Sequence, residues 1–307
     1  MSAISIEHIT KTYDKGTVTA LNDISLEVAK GELFGLIGPD GAGKSSLFRI
    51  LTTLLIADTG TATVDGFDVV KDYKQIRSCV GYMPGKFSLY QDLTVEENLT
   101  FFASLFGTTI SENYDLIKDI YVQIEPFKTK RAGKLSGGMK QKLALCCALI
   151  HKPTVLFLDE PTTGVDAVSR KEFWEMLKRL KEQQITIMVS TPYMDEANLC
   201  ERIALIQNGQ LLSVDTPDKI VASYPQQLYA VKAHNMHKIL NDVRGYENLQ
   251  SVYAFGEYLH TTFKNDEAQS ESQLKAYLQQ QNNSGIEIKK IQPTIEDSFI
   301  RLMSEKS

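Results

Sequence analysis

The eight residues 38–45, Gly-Pro-Asp-Gly-Ala-Gly-Lys-Ser, have types and spacing suited to holding phosphate. They fit the pattern G-x-x-x-x-G-K-[ST], in which glycines let successive backbone N–H groups close around phosphate oxygens. Lys44 can reach the β- and γ-phosphates of a nucleotide, and the Ser45 hydroxyl can bind Mg²⁺. The candidate nucleotide-binding residues in this segment are Gly38, Pro39, Asp40, Gly41, Ala42, Gly43, Lys44, Ser45 and Ser46.

The flanking residues supply the elements that such a loop requires. The apolar run 33–37 predicts a buried strand before the loop, and residues 46–51 follow a helical pattern after it. The helix N-terminus would add its partial positive charge to the phosphate site. The alternative is a glycine-rich turn that only caps a helix, which the strand and the motif in register disfavour.

Two carboxylates that could take part in catalysis end the otherwise apolar run 155–160. Asp159 and Glu160 stand at its carboxyl end, which in a parallel sheet lies beside the phosphate loop. There Asp159 can hold Mg²⁺ through water, and Glu160 is the candidate general base for an attacking water. The alternative is a solvated pair of carboxylates at a strand end.

Length and composition predict two domains without a membrane span. The 307 residues divide by pattern into residues 1–222, with alternating strands and helices and a helical region at about 88–151, and residues 223–307, a small α+β domain. The net charge of −5 argues against nucleic acid as a partner. No secretory signal and no run of about 18 apolar residues occurs, and the four cysteines are expected to be reduced, so a cytoplasmic location is expected.

Three further features are not specific by themselves. Tyr13 follows the first predicted strand and is either an ordinary core or surface tyrosine or an adenine-stacking ring. Ser136, Gly137 and Gly138 begin a helix, which either provides free N–H donors or simply starts the helix. The helical stripe that includes Phe102 and Phe106 is interpreted as packing.

Taken together, these motifs resemble the ATP-binding subunit of an ABC transporter over about residues 1–220. The resemblance rests on the 38–45 loop, on Leu135-Ser136-Gly137-Gly138, and on Leu158-Asp159-Glu160 followed by Gly164-Val165-Asp166. The amino-acid sequence around these motifs is similar to that of subunits that serve multidrug- or antibiotic-efflux permeases. The fold implied is an ABC-type P-loop NTPase with a mixed or parallel sheet, antiparallel and helical subdomains, and the α+β C-terminal domain.

The resemblance implies roles for residues that spacing alone leaves open. Tyr13 would stack on adenine, and two subunits would enclose two ATP molecules with Mg²⁺. Residues Leu135, Ser136, Gly137 and Gly138 of one chain would contact ATP bound to the other, with Asp166 at the dimer interface. The partners would be integral-membrane permease subunits and either a second copy or another ABC ATPase. Residues 88–98 would face the permease, and the subunit would lie on the inner face of the cell membrane.

Two positions depart from the pattern of these subunits. A glutamine that helps hold Mg²⁺ and the attacking water is replaced by Gly85. A histidine that contacts the γ-phosphate is replaced by Pro192. ATP binding is therefore expected to persist while hydrolysis at this chain's own site is weakened, unless a neighbour such as Gln91 covers the missing contacts.

Two other classes of function compete with an energy-coupling exporter subunit. One is an ABC ATPase of translation or DNA repair, which usually carries a second cassette or a long coiled coil; neither is present in this sequence. The other is a regulatory subunit that binds ATP with little turnover, and Gly85 and Pro192 keep that alternative open.

Overall fold

The computed structural model describes residues 2–305 and divides them into two compact units. The first comprises residues 2–218 with 302–305, and the second comprises residues 219–301. This division differs from the boundary expected at residue 222 by four residues, and it places the end of the last helix with the first unit.

Two sheets build the first unit. An antiparallel sheet has the strand order β2-β1-β4-β5. Its strands are β1 (Ser2–Tyr13), β2 (Val18–Ala29), β4 (Thr59–Val64) and β5 (Phe67–Asp68). The second sheet has the order β10-β9-β3-β8-β7-β6. Its strands are β3 (Leu33–Ile37), β6 (Val80–Met83), β7 (Val155–Asp159), β8 (Thr186–Thr191), β9 (Arg202–Gln207) and β10 (Gln210–Asp215).

The second sheet is mixed, because β10 returns antiparallel to β9 while the other pairs are parallel. This mixed sheet confirms the fold expected from the sequence. Asn208 and Gly209 form the turn between β9 and β10 with positive φ angles of 49° and 72°. A two-residue turn with both φ values positive closes adjacent antiparallel strands, so the last strand cannot run parallel.

Seven helices are described in the first unit up to the domain boundary. They are α1 (Lys44–Leu51), α2 (Tyr73–Cys79), α3 (Val95–Leu105), α4 (Tyr114–Tyr121), α5 (Gly137–Leu149), α6 (Ala167–Glu182) and α7 (Pro217–Ala222), the last crossing the boundary. The helix α1 packs on the second sheet through Phe48, whose ring meets that of Phe157 edge-on at 5.6 Å between centroids. This packing fixes the helix that follows the phosphate loop.

The helical region at 88–151 is held by local caps as well as by packing. Thr94 and Glu97 form a capping box, which their spacing in the sequence favours, with the Glu97 N–H donating to the Thr94 hydroxyl at 3.2 Å. Leu99 and Ala103 are buried as a packing stripe requires, but Phe106 is 39% exposed. The interpretation of the whole stripe as packing was therefore wrong for its last aromatic residue.

The second unit has a βαββαβ order with the sheet order β12-β13-β11-β14, which is the split βαβ arrangement of ferredoxin-like folds. Its elements are β11 (Leu228–Lys232), α8 (Met236–Arg244), β12 (Leu249–Phe255), β13 (Tyr258–Phe263), α9 (Ser270–Gln280), β14 (Glu287–Ile291) and α10 (Ile295–Glu305). Sequence pattern alone favours β11, β12, β13 and α10, whereas α8, α9 and β14 are not apparent from it. The polar residues 265–271 favour a loop, but α9 begins within them at Ser270.

A buried hydrogen bond between two side chains joins β13 to the start of α10. The Nδ1 atom of His260 lies 2.6 Å from Asp297, which also accepts hydrogen bonds from the Thr294 N–H and hydroxyl. Burial works to raise the pKa of the Asp297 carboxyl, but the bonds from His260 and Thr294 outweigh it and lower that pKa. A carboxyl with a lowered pKa stabilises the fold above its unfolded pKa of about 3.9, and the contribution is lost as the pH falls through the folded value.

We expect Asp297→Ala to destabilise the second unit by about 1–3 kcal/mol at pH 7, because it removes a helix cap and a buried partner of His260. The difference from wild type should shrink below pH 4. Denaturant unfolding followed by circular dichroism measures this, with fluorescence of Trp174 reporting on the first unit. Glu257→Gln, at an exposed ion pair with Lys232, is the control. A difference that stays constant to pH 3 would contradict the assigned charge.

Candidate nucleotide-binding site

The phosphate loop is shaped by contacts behind it as well as by its own glycines. Gly43 has φ of +106°, and a Cβ there would lie 2.3 Å from the Ala20 carbonyl oxygen. A Cβ at Gly38 would lie 2.2 Å from the carbonyl oxygen of Ile206. Only glycine fits at either position, so the loop backbone is clamped between β2 and β9. The loop then leads into α1, whose first residue is Lys44.

Lys44 is the most buried charge of the loop, with 3% of its side chain exposed. Its ammonium group donates to the carbonyls of Gly38 and Pro39 at 2.8 and 2.9 Å and lies 3.0 Å from Glu160. The loop lysine and the candidate base are thus brought together, although β8 separates their two strands in the sheet.

The Asp159 and Glu160 pair is held by the end of β8. The buried hydroxyl of Ser190 donates to Asp159 at 2.6 Å and accepts from the Glu160 N–H at 3.0 Å. Glu160 has φ of +50°, which turns its side chain out of the strand direction and toward Lys44. Sequence reasoning did not single out Ser190. The signal available was a hydroxyl at the carboxyl end of a buried strand next to β7.

The residues present suit Mg²⁺. Asp159 is 4% exposed and offers a carboxylate that is not neutralised by any lysine or arginine in the described chain. No group of three or more metal-binding His, Cys, Asp or Glu side chains occurs in residues 2–305. Mg²⁺ in nucleotide sites usually takes one or two protein oxygens with phosphate oxygens and waters. Ser45 and Asp159 match that requirement.

Gly85 lies directly against this carboxylate. A Cβ at position 85 would be 3.1 Å from the Asp159 carbonyl oxygen and 3.8 Å from its Oδ2 atom. Burial and then the Asp159 charge raise the pKa of Tyr82, three residues earlier, to about 12. Position 85 is therefore where a side chain could act on the metal carboxylate, and glycine leaves it without one.

Pro192 follows Thr191, the last residue of β8, which contacts the phosphate loop. The carbonyl of Thr191 accepts from the Gly38 N–H at 3.2 Å, which ties the end of β8 to the phosphate loop. Proline at 192 has no imidazole nitrogen and no N–H group that could donate a hydrogen bond to phosphate. Gln91, the neighbour that could cover the missing contacts, has its carbonyl bonded to the Gly133 N–H and its side chain beside Gly133.

Tyr13 reaches the same region from β1. Its hydroxyl lies 3.1 Å from that of Ser46, the residue after Ser45. The ring is therefore at the start of α1, beside the phosphate loop, as a base-stacking residue would need to be.

The residues 135–138 form a separate cluster with Asp166. The Ser136 hydroxyl accepts from the Met139 N–H at 3.4 Å and begins α5. A Cβ at Gly138 would lie 2.7 Å from the Ser169 hydroxyl, and Asp166 caps α6 by accepting from the Val168 and Ser169 N–H groups. Bonds from Ser169 hold the pKa of Asp166 below its usual value. Within residues 2–305 this cluster shares no hydrogen bond with the phosphate loop.

The fold and the loop together define a nucleotide-binding protein of the phosphate-loop class. The family described as "ABC transporter" matches residues 21–163. The "Nod factor export ATP-binding protein I" of Rhizobium sp. (strain N33) is 34% identical over 304 residues, covering 98% of this chain and 96% of that protein. The chain therefore belongs to the family of ABC transporter ATP-binding proteins.

Other relatives agree with this assignment. The "Probable multidrug ABC transporter ATP-binding protein YbhF" of Escherichia coli (strain K12) is 40% identical over 224 residues, but the chain spans only 38% of that protein's length. Among solved structures, cbiO1 from Clostridium perfringens is 25% identical with a TM-score of 0.65, covering 72% of this chain and 91% of that one. The structure of a dimeric ATP-binding cassette in a post-hydrolysis state with ADP and Pi has a TM-score of 0.63 at 25% identity. The match covers 69% of this chain and 98% of that one.

We expect Lys44→Ala to weaken MgATP binding about 10- to 100-fold, because charged hydrogen bonds contribute about 1.5–3 kcal/mol. Isothermal titration calorimetry on the full chain measures the affinity. Lys178→Ala, at an exposed pair with Glu175 on α6, is the matched control and should bind as wild type. Equal affinities for wild type and Lys44→Ala would argue against the phosphate loop as the binding site.

Proposed function

We propose that this chain is the ATP-hydrolysing subunit of an ABC exporter and works as a dimer on a separate membrane permease. The observation that carries the proposal is that Lys44, after the loop that follows β3, lies 3.0 Å from Glu160, which stands beside Asp159 at the carboxyl end of β7. The relatives named for multidrug transport and Nod factor export favour export over other uses of the family. Among residues 2–305 no helix has the length and apolarity to cross a bilayer, so the membrane path would belong to the permease. The chain would lie in the cytoplasm, on the inner face of the cell membrane.

The chemistry proposed for the site uses each of these groups once. Lys44 has two carbonyl partners and one carboxylate partner, so a γ-phosphate oxygen can replace Glu160 without leaving its N–H groups unpaired. Glu160, so released, accepts the proton of an attacking water as general base. Asp159 and Ser45 would hold Mg²⁺, which neutralises developing charge on the phosphates. Residues Leu135, Ser136, Gly137 and Gly138, together with Asp166, would serve the site of the partner subunit.

Gly85 and Pro192 make this chain's own site incomplete under that mechanism. Position 85 is close enough to Asp159 for a side chain to act on the metal and water, and position 192 follows the strand end bonded to the loop. We propose that the chain binds ATP firmly, hydrolyses it slowly, and pairs with a second ATPase whose site is complete. A subunit that binds ATP only to regulate the complex is the alternative, and turnover separates the two.

We expect Gly85→Gln with Pro192→His to raise ATP turnover of the purified chain about tenfold or more, since one well-placed donor at a transition state can contribute at least that much. Steady-state phosphate release at saturating MgATP measures it. Adding Glu160→Gln to the double variant is the control and should abolish the gain. A folded double variant that binds ATP but shows no gain would count against an incomplete site.

An apolar groove supplies the proposed permease contact. It has a volume of about 220 Å³ and lies between the end of β6, the loop 84–89, α3 and α5. Phe106 stacks on His151 with 3.8 Å between ring centres, and the His151 ring nitrogen Nε2 contacts the Val80 carbonyl, so this wall is rigid. Phe87, which also lines the groove, has the Lys140 ammonium of α5 over its ring face. The groove thus touches both the segment carrying Gly85 and the helix that begins at the 135–138 motif.

We expect Phe106→Asp to reduce the amount of permease recovered with the tagged chain from detergent-solubilised membranes, because it places a charge on the groove wall. Mass spectrometry of the captured proteins measures this, and ATP binding should remain unchanged. Val122→Asp, at another exposed apolar residue of the helical region, is the control.

The proteins captured with the wild-type chain test the proposed partners. Recovery of a permease together with a second ATPase would support the unequal pair. A permease alone would contradict it, and ribosomal or DNA-repair proteins alone would refute the exporter proposal.

A further inference from the structure

Asp58, in the loop before β4, makes an unusual concentration of contacts with the end of β1. Its Oδ2 atom accepts from the Thr12 N–H at 2.7 Å and from the Thr12 hydroxyl at 2.8 Å. Its Oδ1 atom accepts from the Lys11 ammonium at 2.6 Å, and its own N–H donates to the Thr10 carbonyl at 2.9 Å. One aspartate therefore fixes the three residues that precede Tyr13.

The Tyr13 side chain is itself held by two contacts, one at its hydroxyl group and one on a face of its ring. Its hydroxyl contacts Ser46 at 3.1 Å, and the Lys11 ammonium lies over its ring at 5.9 Å from the centroid. Because Asp58 holds that ammonium, the carboxylate acts on both the backbone and the ring surroundings of Tyr13. A ring with a cation on one face offers the other face to a flat ligand.

The charge that makes these contacts is stable. The bonds from Lys11 and then from the Thr12 backbone hold the pKa of Asp58 at about 2, far below its ordinary value. The carboxylate therefore remains ionised over the whole range in which the protein would work, and its hold on β1 does not vary with pH there.

Asp65 makes contacts similar to those of Asp58, but no candidate ligand-binding residue lies next to its partners. At the other end of β4 it lies 3.0 Å from the Lys30 ammonium and accepts from the Thr154 hydroxyl at 2.9 Å. A lysine and a threonine hydroxyl are thus engaged by each aspartate. The two differ in what lies next to those partners: only Asp58 contacts the neighbours of Tyr13.

We propose that Asp58 is a positioning residue of the nucleotide site, which holds Lys11 and Thr12 so that the Tyr13 ring is fixed for stacking on the base. The inference rests on the proposed ATP-binding function and adds that Asp58 serves the base of the nucleotide and not its phosphates. Inorganic tripolyphosphate has the phosphates without a base, so it separates the two contributions.

The test is calorimetric titration of the full chain with MgATP and with magnesium tripolyphosphate. Stacking of a base on an aromatic ring is worth about 1–3 kcal/mol, so Tyr13→Ala should weaken ATP binding about fivefold or more. Asp58→Ala should weaken ATP binding about three- to tenfold and leave tripolyphosphate binding unchanged within about twofold. Asp65→Ala, the matched control, should change neither affinity.

Two further variants make the test specific. Asp58→Ala combined with Tyr13→Ala should bind ATP no more weakly than Tyr13→Ala alone, since the aspartate acts through the ring. Asp58→Asn keeps an acceptor for the Thr12 N–H and should recover part of the lost affinity. It also provides a folded variant if the alanine change lowers the melting temperature.

Several outcomes would overturn the inference. Equal losses for ATP and tripolyphosphate would assign Asp58 a general structural role. Unchanged ATP binding in Asp58→Ala, with a loss in Tyr13→Ala, would leave the base contact intact without Asp58. If Tyr13→Ala itself binds ATP normally, there is no ring contact to position. Lys44→Ala then distinguishes this failure from a failure of ATP binding, because it would still lose both ligands at a working phosphate loop.

Discussion

The buried ammonium group of Lys44 is the constraint on which the rest of the site depends. A lysine with 3% of its side chain exposed is costly unless every N–H finds a partner, and here two loop carbonyls and Glu160 supply them. Those partners come from the loop after β3 and from the residue after β7. The strand order, with β8 between them, is what places the two within 3.0 Å of each other.

The strand between them has a function of its own. Through Ser190, β8 fixes both the Asp159 carboxylate and the backbone of Glu160, and through Thr191 it holds Gly38. A single strand end therefore fixes the Asp159 carboxylate, the Glu160 backbone and the phosphate loop relative to one another. Pro192 directly follows this strand end, which is why we propose that the residue at this position affects hydrolysis.

Local sequence patterns predicted most of the elements but not the contacts between them. The 38–45 motif, the capping box at Thr94 and the Asn208-Gly209 turn all depend on neighbours in the chain, so the sequence was sufficient for them. Asp58 and Ser190 act on residues 46 and 31 positions away, and such pairings appear only once the sheets form. The exposure of Phe106 was missed for the same reason, because helical spacing shows which residues share a face but not what covers that face.

The hairpin turn at Asn208-Gly209 has a consequence for engineering. Tips of β-hairpins are usually the places where tags, reporter domains or new chain ends are inserted without harm. Here the Gly209 N–H donates to the carbonyl of Ala42 within the phosphate loop, its carbonyl accepts from the Asn22 N–H, and a Cβ on it would lie 2.7 Å from the Ala20 oxygen. Through these contacts the tip of the hairpin supports the phosphate loop. An insertion there would alter ligand affinity from a position that a sequence-based survey would choose as neutral.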